Sequence, residues 1–156
     1  GEKEGYNYYF RTKEEFKRMI ENNEFVEWVE YCENYYGTPV KQLEESLKSG
    51  LDIILEKEVE GAIRIKERYP DSILIFLLPP SFKELKRRIK SRGTEDISMI
   101  NKRLKRASEE INYISKYDYV VTNEHIGDTA NNINCIIKAE KLRVDRNINV
   151  LKEISI

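Results

Sequence analysis

Histidine, cysteine and glycine are scarce in this chain, and each shortage removes a class of chemistry. His125 is the single histidine in 156 residues, which argues strongly against a His-based metal site or a catalytic triad. The two cysteines, Cys32 and Cys135, form no Cys-x-x-Cys pair and have no metal-ligand spacing. A reduced, cytoplasmic protein is the expectation. Only seven glycines are present, and the early ones, Gly1 and Gly5, fit no phosphate-cradling G-x-x-x-x-G-K-[ST] loop. No apolar run approaches the ~20 residues of a membrane span, so no membrane association is expected. Net charge is nearly absent as well, at −1, which argues against a general nucleic-acid binder.

What is present is unevenly distributed. Between Lys83 and Arg106, ten basic residues meet only Glu84, Glu95 and Asp96, so the rest of the chain is acidic. A cationic block inside an acidic protein points to a bound anion handled at one place.

The hydrophobic pattern predicts alternating elements. Thr12 and Glu15 form a capping box ahead of Phe16, Met19 and Ile20 on one helical face. "EFVEWVEY" alternates as a strand over 25–31, with Phe25, Glu27 and Val29 on one side and Val26, Trp28 and Glu30 on the other. Thr38-Pro39 reads as a helix start, with Val40, Leu43 and Leu47 as its buried stripe and Gly50 as its stop. "LDIIL" reads as a strand, "GAIRIKERY" as a helix, and "SILIFLL" as a strand buried on both faces of a parallel sheet. Ser81 and Glu84 make a second capping box for a helix ending near Gly93, and Thr94 opens a helix to about Ser115. "YDYVVTN" is a further strand, followed by a helix to about Leu142. Strand–helix alternation argues α/β with a parallel sheet, and the first 38 residues read as a subdomain set on it.

Several residues carry candidate chemistry. Arg88 and Arg92 lie four apart on one helical face, and Arg103 follows on the next helix. Three guanidiniums placed so could clamp a polyphosphate, or they could form a solvated face. Glu27 shares a strand face with apolar residues. It could accept from two adjacent donors of a base, N1–H and N2–H₂ of guanine, or be an edge glutamate paired with a nearby Lys. Tyr8 and Tyr36 could donate to a phosphate or simply pack. Glu56, Glu58 and Glu60 follow a buried-type strand and point to one side. They could hold a metal or a sugar hydroxyl, or form an exposed loop.

The segments "GEKEGYNYYF", "EFVEW", "NYYGTP", "EVEGA", "FLLPPS", "RGTE" and "DYVVTN" occur in that order. Along nearly its whole length the chain resembles the guanylate kinase family, bacterial type. "ILEKEVEGA" departs from the family's "ILEIEVQGA" type of segment at Lys57 and Glu60. The resemblance implies an α/β fold: a P-loop kinase-like parallel sheet flanked by helices, a small mixed β/α GMP-binding subdomain and a helical lid. It implies one domain over 1–156, N-terminally incomplete, with the GMP subdomain at 1–38, the core at 39–84 and 108–156, and the lid region at 85–107. The incompleteness is expected because the family's P-loop and two further arginines are not in the sequence.

The implied reaction is transfer of a phosphoryl group from ATP to GMP with Mg²⁺, in the cytoplasm. The alternative is a guanylate-kinase-like binding module that has lost catalysis and recognises a phosphorylated partner. By resemblance, Tyr8 and Tyr36 bind the GMP phosphate. Glu27 and Thr38 read the guanine, and Gly37 belongs to the same GMP-binding site. Glu56 and Glu58 are the acidic pair of the nucleotide cleft. Arg88, Arg92 and Arg103 gather the ATP phosphates, and Asn123 lies near the adenine.

Overall fold

Thr12 nucleates the first element as its side chain predicts. The computed structural model describes residues 3–6, 8–31, 34–91 and 97–148. They divide into two compact units, Gly1–Ser72 and Ile73–Ile156.

In the first unit, helix α1 (Lys13–Glu21) begins with a complete capping box. Glu15 N–H donates to Thr12 Oγ1, and Thr12 N–H donates to the Glu15 carboxylate. Strands β1 (Phe25–Tyr31) and β2 (Asn34–Pro39) pair antiparallel, with Glu27 opposite Thr38 and Val29 opposite Tyr36. The register shifts between Phe25 and Glu27. Simple alternation therefore fails at this point, because an irregular pair lets successive side chains leave the ladder on unexpected sides. Phe25, Val26 and Glu27 are all buried. Phe25 stacks on Phe16 with ring centroids 4.2 Å apart. Val26 joins Leu43 and Ile65 in a core that Val40, Ile53, Leu55 and Tyr69 flank.

Helix α2 (Val40–Lys48) starts one residue later than the sequence predicts, with Pro39 as N-cap. Thr38 is not the cap. It belongs to β2, and its hydroxyl donates across the ladder to Glu27 at 2.8 Å, which removes it from the helix. Leu43 is buried, whereas Leu47, one turn on, is exposed. Gly50 follows the helix at φ +76°, a conformation glycine adopts without steric cost. Residues 51–58 are not the predicted strand, since the two ladders of the described residues are β1–β2 and β3–β4. The segment still alternates: Ile53, Leu55 and Lys57 are half-buried, and Ile54, Glu56 and Glu58 are exposed. Helix α3 (Val59–Arg68) then faces β1, and Arg68 Nη1 donates to the Phe25 carbonyl at 2.9 Å. Glu60 lies on this helix, so it does not continue the alternation of Glu56 and Glu58.

The second unit is built on two parallel strands, β3 (Ile75–Leu78) and β4 (Tyr119–Thr122). Between them run α4 (Phe82–Ser91), α5 (Ile97–Glu110) and a 3₁₀ segment, Ile111–Lys116. Such a crossover is what a parallel pair requires. Helix α6 (Ile126–Lys141) follows β4. It is tied back by the Tyr119 hydroxyl, which donates to the buried Glu140 carboxylate at 2.6 Å. That bond raises the Tyr119 phenol above its ordinary pKa. Leu74, Phe76 and Val121 are buried, but Leu77 is 48% and Val120 54% exposed. Leu77 pairs with Val121 and Val120 with Phe76, so the two exposed residues lie on opposite faces and neither face is fully covered among the described residues, which corrects the expectation of burial on both faces. The predicted helix start at Thr94 lies outside the described residues.

Candidate functional site

The irregular pairing at the start of β1 carries Glu27 into the interior, where it is 6% exposed. A buried carboxylate needs compensating partners, because loss of water is costly to a charge. Two are supplied on one oxygen. Thr38 Oγ1 donates to Glu27 Oε1 at 2.8 Å, and Lys57 Nζ lies 2.6 Å from the same atom. Glu27 Oε2 faces the first turn of α3 at Gly61, where an added Cβ would sit 3.6 Å from it. Helix N-termini favour negative charge. Glu27 is thus both the interior carboxylate that suits a base ligand and the lysine-paired glutamate that was its alternative. Lys57 was identified only as a departure from a family segment. Its parity with Ile53 and Leu55 was the available signal that it turns inward.

Tyr8 and Tyr36 are brought together, ring centroids 6.0 Å apart in an edge arrangement. Both remain partly exposed, so water or a ligand can reach them. Gly37, opposite Trp28, has a packing role: an added Cβ would lie 2.8 Å from Phe25 Cδ1 and 3.0 Å from Phe16 Cζ. Glu56 and Glu58 are exposed on the side of their segment away from Lys57, and Glu58 is the N-cap residue of α3.

In the second unit, Ser81 caps α4 by accepting from Glu84 N–H at 3.1 Å. The reciprocal half of the predicted box is missing, because the Glu84 carboxylate is drawn to stronger, charged donors. Arg87 binds it through Nε and Nη2, both at 2.7 Å, and Arg88 Nε binds Oε1 at 2.7 Å. Hydrogen bonds from Arg87, then from Arg88, pull the Glu84 carboxyl from 4.5 to about 2. Arg88 Nη1 also donates to the Asn123 carbonyl at 2.9 Å. Asn123 N–H closes the ladder onto Leu78 O at 2.6 Å, and its side-chain oxygen lies 3.4 Å from Thr129 Oγ1. The structure thus brings Arg88 and Asn123 together at the carboxyl end of β4, where open α/β sheets place ligands. Arg103 is exposed on α5. Arg92 lies outside the described residues. Among the described residues, no three His, Cys, Asp or Glu side chains gather as a metal cluster.

Three comparisons with known proteins agree. A family model described as guanylate kinase matches residues 1–140. The chain is 50% identical over 147 residues to a guanylate kinase of Caldanaerobacter subterraneus subsp. tengcongensis, covering 94% of this chain and 71% of that protein. It is 48% identical over 146 residues to a guanylate kinase of Desulfitobacterium hafniense, covering 94% and 73%. The crystal structure of guanylate kinase from Anaplasma phagocytophilum superposes with a TM-score of 0.75 at 39% identity, over 94% of this chain and 71% of that one.

Proposed function

Because this chain belongs to the guanylate kinase family, we infer that it transfers the γ-phosphoryl group of ATP to GMP, giving ADP and GDP. The observation that carries the site assignment is the buried Glu27 carboxylate with the Thr38 hydroxyl on it. Guanine offers N1–H and N2–H₂ along one edge, and a carboxylate accepts from such an edge. Adenine presents an acceptor at N1 and is refused by the same group. Gly37 keeps β2 close against the Phe16–Phe25 stack and so holds Thr38 in register with Glu27.

Tyr8 and Tyr36 donate their phenolic protons to the GMP phosphate, and their partial exposure supports this. Glu56 and Glu58 face outward as the acidic pair of the nucleotide cleft. Residues 1–38 form the GMP subdomain, 39–84 and 108–156 the core, and 85–107 the lid region. Arg88, Arg92 and Arg103 act on the ATP phosphates, and Asn123 sits near the adenine. Phosphoryl transfer here needs no covalent intermediate. Alignment and positive charge over the transferring group carry it.

The second substrate is ATP with its Mg²⁺. Mg²⁺ usually takes one or two carboxylates plus substrate phosphates and keeps several waters. The exposed Cys135 thiol accords with a reducing cytoplasm.

The test is kcat/KM for GMP and AMP in the wild type and Glu27→Gln. A site built to pair polar edges rejects a mismatched ligand by up to ~10⁴–10⁵. Glu27→Gln places an N–H donor against guanine donors and erodes that preference at least tenfold by the same argument, roughly. An unchanged ratio would remove Glu27 from base recognition.

A further inference from the structure

Lys57 has no role in that division of labour, yet it occupies one of the two oxygens assigned to guanine. A carboxylate oxygen offers two lone-pair sites. Glu27 Oε1 is engaged twice, accepting from the Thr38 O–H at 2.8 Å and ion-paired with the Lys57 ammonium at 2.6 Å. Oε2 accepts no hydrogen bond among the described residues. Gly61 beside it carries no side chain to cover it.

The lysine is not a loose rim residue. Its side chain is 25% exposed against 6% for Glu27, so little water competes for the bond. It shares the inward parity of Ile53 and Leu55, which pack on Val26, Leu43 and Ile65. An ion pair in such surroundings is screened less than one at the surface.

We propose that Lys57 is a specificity-determining residue: by holding Oε1 in an ion pair it leaves Glu27 to read the base through Oε2, so that IMP is a second substrate of the same site. The proposal rests on Glu27 being the base reader. Guanine and hypoxanthine both present N1–H beside a 6-oxo group, and only guanine adds the N2 amine. With Oε1 held by Thr38 and Lys57, N1–H and the amine must share Oε2, and the amine contributes little. AMP, whose N1 is an acceptor, stays excluded. In the IMP reaction a 5′-phosphate oxygen bonds to the γ-phosphorus of ATP and the β–γ bridging P–O bond breaks. ADP leaves and IDP forms, with no redox change.

The experiment measures GMP and IMP affinity by calorimetry, and IDP formation by mass spectrometry, for the wild type, Lys57→Met, Lys57→Arg and Glu27→Gln. The wild type is expected to bind IMP within about tenfold of GMP and to form IDP. Lys57→Met opens a lone pair for the amine and widens the gap by about tenfold, the scale of one hydrogen bond to a charged group. Lys57→Arg keeps a cation on Oε1 and preserves the wild-type gap. Glu27→Gln weakens both ligands. A wild-type gap beyond roughly a hundredfold overturns the proposal whatever the variants do. So does an unchanged gap in Lys57→Met, and if Glu27→Gln still weakens both ligands the base reading stands without it. If Glu27→Gln leaves both affinities unchanged, the base reading itself falls and takes the proposal with it.

Discussion

Arg88 Nη1 donates to the Asn123 carbonyl at 2.9 Å, joining α4 to the residue that extends the β3–β4 ladder. Arg88 Nε is held at 2.7 Å by Glu84, and Nη2 lies 3.5 Å from the Glu124 carbonyl. A guanidinium held at several of its donors keeps its plane and needs little reordering when an anion arrives.

Arg88→Ala is therefore expected to lower kcat by about 10²-fold, the scale of losing one electrostatic stabiliser. Lys83 and Lys90 lie exposed on the same helix, and alanine at either should leave kcat within about twofold by the same reasoning. Steady-state kinetics on the three variants separates them. Equal losses would mean that α4 contributes only diffuse positive charge.

Glu84 gives a pH signature. Its folded carboxyl is held at about 2, below the ordinary 4.5, chiefly by the hydrogen bonds of Arg87 and Arg88. Between those values the unfolded chain binds the extra proton and the folded one does not. The stabilising contribution is therefore complete above 4.5 and is lost as pH falls from 4.5 toward 2. The cluster lies at the surface, so salt should diminish it. Carbonyl-carbon NMR of the Glu84 carboxyl should give a midpoint near 2. An ordinary midpoint would show that the arginine fork does not persist in solution.

Tyr36→Phe should weaken GMP binding by about tenfold, the scale of one hydrogen bond to a charged acceptor. The melting temperature should hold, because the ring that meets Tyr8 at 6.0 Å is retained. Tyr8→Phe should behave alike. Calorimetry with GMP and a thermal melt together decide this: a lost fold with unchanged affinity would make the pair structural only.

Gly37→Ala tests the packing of β2. The new Cβ would stand 2.8 Å from Phe25 and 3.0 Å from Phe16, two buried and stacked rings. Overpacking of this kind costs about 1–3 kcal/mol. Gly127→Ala in α6 meets no atom within 4 Å and should be neutral or stabilising by up to about 1 kcal/mol. Urea denaturation of both variants measures the contrast, and equal midpoints would contradict it.

What the sequence by itself determined was local or cumulative. The Thr12–Glu15 box, the helical runs and the "YDYVVTN" strand depend on neighbours within a few residues, where spacing dictates hydrogen bonding. That Glu56 and Glu58 share one side also followed from period two, although Glu60, on α3, did not continue it. Family membership was legible because seven motifs occur in order, although none would suffice alone. Tertiary structure decided the rest. Thr38 left the helix cap because Glu27, eleven residues earlier, offered its hydroxyl a buried acceptor. Glu84 left its capping box because two guanidiniums bind a carboxylate more strongly than a backbone N–H does. The register shift in β1 set three successive side chains inward. Lys57 came to rest on Glu27 across thirty residues of chain. Periodicity assigns a side chain to a face but does not name its partner, which is chosen by distant segments that meet only on folding.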